Sequence, residues 1–505
     1  MLNLKKHYKI IIIPTILGGL SVLGFSPFYL YPVPIVCLAI LIYLCEESNK
    51  FKLRITAGFC FGLGLFLTGT SWIFISLTRF GGMNELLAGF VIFIFSSYLA
   101  FFSAIACGTL YFFKQLNQKV KLLFVSPALW VIGEMSRGYF FSGFPWLSIG
   151  YSQVPNSPLT GFAPVGGIYL VSFVCLICSG ALMLTFKNLR FLNQEGNWAV
   201  TPITIILISL LGFQLSHVKW SKPVTNRPVS VALIQGNIAQ DQKWNPREVQ
   251  NTLLKYKKLA HATNADLVFL PETAFPIFDD FIEPTFLDNF SQLFKESGRD
   301  ALVGLPEITP EGKKFNTVRS FGSNPSQNYR KIHLVPFGDY FPLKSVFGWF
   351  INNVNIPMSS FSKGSVKQSP FNLSGQKIAI NICYEDVFGE EIAENLPEAT
   401  ILANFTNDAW WGRSLASRQH LQISQMRAIE TARPMLRVTN TGVTAVINWR
   451  GEITAKLPEF TDGVLKGEVV GRQGITPFVI VRNNIALIIS VSIIVIGIYK
   501  TRKKR

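Results

Sequence analysis

Seven apolar runs, most of them near the length of a bilayer-crossing helix, fill residues 8–216, and an eighth lies at 485–499. A spanning helix needs about 20 mostly apolar residues. Inside hydrocarbon the backbone must satisfy its own hydrogen bonds, so runs of this kind are restricted to helices. The runs fall at roughly 8–27, 29–45, 55–77, 86–113, 122–138, 167–186, 199–216 and 485–499. Only 15% of residues are charged, against about 25% in an ordinary soluble domain. The deficit is confined to these runs, and residues 220–480 have the composition of a soluble domain.

The short loops between the runs set an orientation. Lys5, Lys6 and Lys9, Lys50, Lys52 and Arg54, Lys114, Lys119 and Lys121, Lys187 and Arg190, and the tail Lys500, Arg502, Lys503, Lys504 and Arg505 all fall on one side. The opposite short loops carry only Arg79 and Arg137. Basic residues stay cytoplasmic. Eight spans therefore place both termini in the cytoplasm and residues 220–480 outside. The net charge of +17 is mainly this topology signal. No basic stripe interleaved with aromatics marks the soluble part, which excludes nucleic acid as a partner. The first run lacks a small-residue cleavage site and a second run follows at once, so it is read as a retained span. The expected domains are 1–219 with seven transmembrane helices, 220–480 as an extracytoplasmic catalytic domain, and 481–505 as a last helix with a basic tail.

The loop after the fifth run contains Glu134, Arg137, Gly143-Phe-Pro-Trp146 and Gly150-Tyr151-Ser-Gln153. Two readings stand: an aromatic belt with a charged pair at a helix end, or a re-entrant segment that helps hold a lipid.

Residues 220–480 alternate β-rich and helical runs. The spacing predicts strands at 229–235, 266–270, 300–304, 329–335, 377–383, 399–404, 435–439 and 443–448, and helices near 247–263, 284–296 and 415–432. Several strands are apolar nearly throughout, as when both faces of a sheet are covered, which predicts a layered α/β domain. Residues 341–361 are too apolar for a free loop. They read either as a loop folded on the surface or as a lid whose Phe347, Trp349 and Phe350 dip into lipid.

Of seven cysteines, six lie in or beside the apolar runs, and Cys383 alone is in the soluble domain. It ends the run Lys377-Ile-Ala-Ile-Asn-Ile-Cys383 and has no disulfide partner in its own domain. A buried bystander is the common fate of such a residue. A thiol nucleophile instead needs a base and a source of positive charge. His333 and His420 are conceivable bases. Glu272, in Leu-Pro-Glu272-Thr, and Lys331, in Tyr-Arg-Lys331-Ile-His, stand beside apolar strands in more suggestive settings. No clustered Cys/His spacing indicates a metal site.

These pieces, with Ile-Cys383-Tyr-Glu-Asp, resemble the Glu–Lys–Cys motifs of the nitrilase (carbon–nitrogen hydrolase) superfamily. The whole chain resembles the apolipoprotein N-acyltransferase family. Further matching segments are Gln235-Gly-Asn237 with Trp244, Asn404-Phe-Thr-Asn407-Asp408-Ala-Trp-Trp-Gly412, Gln419-His420, Arg427-Ala-Ile-Glu430, Arg433-Pro and Thr439-Asn-Thr-Gly442. The resemblance implies an αββα nitrilase-like sandwich joined to a polytopic helical membrane domain in a bacterial inner membrane, catalytic side periplasmic. It implies Glu272, Lys331 and Cys383 as the catalytic residues, with Tyr384, Glu385, Asp339, Trp244, Trp349 and Trp146 as supporting or substrate-binding groups. Asp339 stands where the family usually has Glu. The implied reaction moves an acyl chain from a phospholipid, phosphatidylethanolamine foremost, through a thioester to the α-amine of a diacylglyceryl-cysteine apolipoprotein. It needs no cofactor, and a monomer suffices. A membrane-tethered amidase would share the triad, and a transporter with an outer domain is a further reading. The seven preceding spans argue against the first, and the scarcity of mid-membrane charge against the second.

Overall fold

The computed structural model describes residues 2–191, 200–225, 227–322, 325–340 and 360–503. The chain divides into two compact units. One comprises Met1–Ile73, Leu86–Val218 and Ile480–Arg505, and the other Phe74–Glu85 and Lys219–Val479.

The first unit is helical. Its main helices are Leu2–Ser21, Pro32–Glu47, Phe51–Gly69, Glu85–Thr109, Ser126–Tyr139, Ala163–Phe191, Val200–Ser216 and Asn484–Lys503, one for each apolar run. Four helical stretches among the described residues are long and apolar enough to cross a membrane: Phe51–Gly69, Glu85–Phe113, Pro158–Lys187 and Asn484–Lys503. Four rather than eight therefore meet the spanning criterion. Tyr8–Gly24 and Thr201–Ser216 are apolar but shorter. Pro32 and Pro34 delay the start of the second helix, which keeps only 16 residues. In the fifth run a π-helical turn at Lys121–Val125 leaves a regular α-helix of 14 residues. The third run also stops early, at Gly69, not near 77.

Close packing in this unit relies on small residues. A methyl group on Gly18 would collide with the Phe61 backbone carbonyl, and one on Gly64 with that of Thr15, so the first and third helices touch backbone to backbone. At one end Glu46 pairs with Arg54 (3.1 Å) and Lys121 (2.5 Å), all nearly buried. Glu134 accepts from Trp130 Nε1 (3.0 Å) and the Ile149 N–H (2.8 Å), while Arg137 donates to the Trp146 carbonyl (2.7 Å) and to Ser148 Oγ (3.1 Å). Both charges thus tie down the loop that follows them.

The second unit is a sandwich of two six-stranded sheets. Its strands are β1 (Ser221–Pro223), β2 (Val229–Gln235), β3 (Leu267–Leu270), β4 (Asp300–Ile308), β5 (Lys314–Gly322), β6 (Asn328–Arg330), β7 (Phe371–Leu373), β8 (Gln376–Ile382), β9 (Ile401–Thr406), β10 (Met435–Thr439), β11 (Ala445–Ile447), β12 (Ile453–Lys456), β13 (Gly463–Val469) and β14 (Arg472–Gly474). One sheet runs β13-β2-β3-β4-β5-β6 and the other β12-β11-β10-β9-β8-β7, while β1 and β14 form a separate pair. In each sheet the central three strands are parallel: β2, β3 and β4 in one, and β8, β9 and β10 in the other. The outer strands are antiparallel.

The all-apolar strands follow from this arrangement. Val231, Leu233, Leu267 and Phe269 meet Ile380, Ile382, Ala403 and Phe405 between the sheets. Their alternates Ala232, Ile234, Val268 and Leu270 pack with Leu253, Tyr256, Phe290 and Phe294, from helices Pro246–His261 and Pro284–Glu296. On the other outer face Ala379, Leu402 and Met435 pack with Leu421 and Ala428 of helix Ala416–Thr431. The result is an αββα sandwich. Full burial of each Leu, Ile or Phe is worth about 1.5–3 kcal/mol.

Candidate active site

The parallel strands β3 and β8 end in sharp turns that carry two of the singled-out residues. After β3 the chain passes Pro271 to Glu272, and the next residue, Thr273, has φ 48°. After β8 comes Cys383, with φ 54°. A β-carbon makes this left-handed conformation costly, by roughly 1–3 kcal/mol, and such strain persists only where the surroundings impose it. Here they do. The Cys383 carbonyl accepts from Asn404 Nδ2 at 3.0 Å, and His420 Nε2 lies 3.2 Å from it. Just before it, the Ile382 N–H donates to Glu385 Oε2 at 2.6 Å. The expected strand 377–383 therefore ends at Ile382, with Cys383 turned out of the ladder.

Lys331 stands just beyond β6. The sequence predicts a strand over 329–335, but pairing stops at Arg330. The reason is a competing acceptor: the N–H groups of Ile332 and His333 donate to Glu385 Oε1 at 2.6 and 3.1 Å. Glu385 also accepts from the Tyr329 hydroxyl at 3.0 Å. One carboxylate thus joins the segment bearing Lys331 to the turn bearing Cys383. Burial pushes its pKa up to about 7, against the N–H donors and Lys331, which favour the charged form.

Lys331 Nζ lies 2.7 Å from Asp339 Oδ2 and 3.6 Å from Glu272 Oε1, and is 1% exposed. Burial alone would lower its pKa, but the charges of Asp339 and Glu272 outweigh that and raise it. Asp339 is held in turn by the Val335 N–H at 2.8 Å. Glu272 Oε1 accepts from Asn316 Nδ2 (2.7 Å) and Oε2 from the Asn407 N–H (2.9 Å). Burial pushes the Cys383 thiol well up, Glu272 adds to the shift and Lys331 opposes it. The resting sulfur is therefore protonated, half-buried, and within the field of a carboxylate and an ammonium.

Behind Cys383 lies a charged network. His420 Nε2 is 2.7 Å from Asp386 Oδ1, Arg437 donates to Asp408 Oδ2 at 3.0 Å and to Asn404 Oδ1 at 2.8 Å, and Ser424 Oγ donates to Asp386 Oδ2 at 2.5 Å. All are essentially inaccessible to solvent. For Asp408, burial alone would raise the pKa, but Arg437 and His420 hold it at about 2.

The structure thus gathers Glu272, Lys331, Cys383, Asp339 and Glu385 around one point. Tyr384 is buried beside Phe388 and His333, whose Nδ1 is 2.8 Å from Glu391 Oε1. Trp244 is half-buried, directly after Lys243. Trp146 belongs to the helical unit, packed on Trp72 and Phe144. Trp349, with the suggested lid at 341–361, falls outside the described residues except at the segment's last two positions. Sequence reasoning missed Asn316 and Lys243. It quoted Asn404, Asn407 and Asp408 only as matching segments, weighed His420 as a conceivable base, and left Arg437 unnoticed. Their polarity inside apolar surroundings, as in Leu-Arg437-Val-Thr, is the signal that was available.

Residues 17–181 match the family described as "Apolipoprotein N-acyltransferase N-terminal domain", and residues 230–473 match "Carbon-nitrogen hydrolase". The chain is 44% identical to the apolipoprotein N-acyltransferase of Nitrosomonas europaea, over 92% of both chains. It is 38% identical to that of Chromobacterium violaceum, over 91% of this chain and 88% of the relative, and 35% identical to that of Vibrio cholerae, over 91% of both. A solved carbon–nitrogen hydrolase from Helicobacter pylori superposes on 48% of the chain and 89% of its own, with 18% identity and a TM-score of 0.36.

Proposed function

The chain belongs to the apolipoprotein N-acyltransferase family, and on that premise we propose that it transfers an acyl chain from a membrane phospholipid to the N-terminal α-amine of diacylglyceryl-cysteine apolipoproteins. The observation that carries this reading is the Glu272–Lys331–Asp339 cluster beside the strained Cys383 turn. Glu272 takes the Cys383 proton, and the thiolate attacks the ester carbonyl. Lys331 and the backbone N–H of Tyr384 stabilise the tetrahedral oxyanion, each such donor being worth roughly 3–4 kcal/mol. The intermediate collapses, the lysophospholipid alkoxide leaves with the proton held by Glu272, and a thioester remains on Cys383. The acceptor amine then attacks the thioester, Glu272 accepts its proton, and the amide leaves as the thiol is restored. This is a ping-pong transfer.

Tyr384, Trp244 and Trp349 are assigned to the walls and cover of the acyl site, Glu385 and Asp339 to holding Lys331 and Cys383, and Trp146 to the membrane side. The topology that fits best has eight spans in a bacterial cytoplasmic membrane, both termini cytoplasmic and the domain 220–480 periplasmic, working as a monomer. The basic loops support it, and so does the correspondence of all eight apolar runs to helices. The test is intact-protein mass spectrometry after incubation with phosphatidylethanolamine. A hydroxylamine-sensitive gain of one acyl chain, absent in Cys383→Ala, is expected. No adduct on folded wild-type protein would overturn phospholipid as donor and favour an amidase.

A further inference from the structure

The short turn Gln240–Lys243 holds Glu272 at both ends. Lys243 Nζ donates to the Glu272 backbone carbonyl at 3.0 Å. Gln240 Oε1 accepts from Asn407 Nδ2 at 2.7 Å, and the Asn407 N–H is the donor to Glu272 Oε2. Lys243 is 1% exposed. An ammonium removed from water is costly unless nearby charge repays it, and one carbonyl is weak repayment. A neutral amide would hold that carbonyl as well. The charge itself therefore needs an explanation, and the site supplies one. Around Cys383, Glu272, Asp339 and Glu385 stand against Lys331, leaving the carboxylates in excess before the thiol has ionised.

We propose that Lys243 is a positioning residue of this site: it fixes Glu272 through its carbonyl and supplies a second positive charge that offsets the carboxylate excess as Cys383 gives up its proton. The titratable groups that act on it are Glu272, on the turn after β3, and Cys383, just after β8; Lys331, Asp339 and Glu385 share the site, and Asp408 acts on Cys383 from the network behind it. Burial lowers the Lys243 pKa to about 7, while Glu272 and Cys383 act to raise it. Its charge is therefore present below neutrality and lost above it.

The inference rests on Cys383 as nucleophile and Glu272 as base. Its test needs no lipid, so it stands or falls separately from the choice of acyl donor. The full chain in detergent is treated with iodoacetamide from pH 6 to 9, and alkylation of the Cys383 peptide is timed by mass spectrometry. Wild type is compared with Lys243→Met and Lys243→Arg. At pH 6 wild type should react about tenfold faster than Lys243→Met, the equivalent of one pKa unit. The ratio should fall to about one by pH 9 as wild-type Lys243 loses its proton. Glu385, which burial also brings to about 7, titrates in both proteins and cancels from the ratio. Lys243→Arg, charged at every pH, should match wild type at pH 6 and exceed it at pH 9. A wild-type to Lys243→Met ratio that is the same at every pH would mean a purely structural side chain and overturn the proposal. Should Lys243→Met fail to fold, a Lys243→Arg to wild-type ratio that does not rise with pH overturns it equally.

Discussion

Replacing Glu385 by Gln changes one atom's chemistry while keeping the side chain's shape. In the wild type Oε1 accepts from the Ile332 and His333 N–H groups, and Oε2 from the Ile382 N–H and the Tyr329 hydroxyl. A glutamine has one acceptor oxygen. With its oxygen at the Oε1 position, the NH2 faces the Ile382 N–H, which sits 2.6 Å from Oε2. The Tyr329 hydroxyl can turn and accept, but the amide N–H cannot. With the amide flipped, two backbone donors lose their acceptor instead of one. The first arrangement is therefore preferred, and it strands one buried donor. A stranded donor costs about 1–3 kcal/mol. Ile382 precedes Cys383 and Ile332 follows Lys331, so relief of the clash moves the nucleophile relative to its ammonium. If the whole cost falls on the acyl-transfer geometry, the rate drops roughly 5- to 150-fold. Single-turnover thioester formation followed by mass spectrometry measures it, with a thermal melt to separate unfolding from misplacement. A Glu385→Gln variant that forms the thioester within twofold of wild type would refute the claim that this carboxylate sets the distance between the two segments.

Two further perturbations probe the network beneath Cys383. Arg437→Met leaves Asp408 buried without its guanidinium and should destabilise the protein by about 3–5 kcal/mol at neutral pH. The folded pKa of Asp408 is depressed to about 2, so its pairing contributes fully above its unfolded value and is lost as pH falls through 2. The gap in melting temperature between wild type and Arg437→Met should therefore narrow between pH 4 and pH 2, and a constant gap would contradict the assignment. Gly442→Ala would drive a methyl group into Asp408 Oδ2 and the Ser417 Oγ that hydrogen-bonds to it. Overpacking of this kind costs about 1–3 kcal/mol, and thermal melts and thioester rate should fall together.

Much of this organisation is legible in the chain. Hydropathy separates a helical membrane part from an α/β part, because burial in lipid and burial in a sandwich demand different run lengths. Runs such as Val229–Gln235 and Leu267–Leu270 are apolar at every other position and at the positions between, and the two faces turn out to feed two separate cores. Strands β5 and β13 escape notice because Lys314, Asn316, Arg319, Lys466 and Glu468 break the apolar pattern, at positions that are exposed, partly exposed or, for Asn316, buried and hydrogen-bonded. The eight apolar runs become eight helices, but only folding shows that prolines and a π turn shorten some of them below spanning length.

Glu272, Lys331 and Cys383 are nameable from sequence because each is a reactive group at the end of an apolar strand. What places them together is tertiary. Glu385 pulls residues 332 and 333 out of a predicted strand, Asn316 and Asn407 orient Glu272, and Lys243 reaches its carbonyl from 29 positions away. Periodicity reports which side of an element faces oil or water, a property of neighbours in the chain. Hydrogen bonds and charge pairs depend on distances of about 3 Å between atoms far apart in sequence, and only the folded chain sets those.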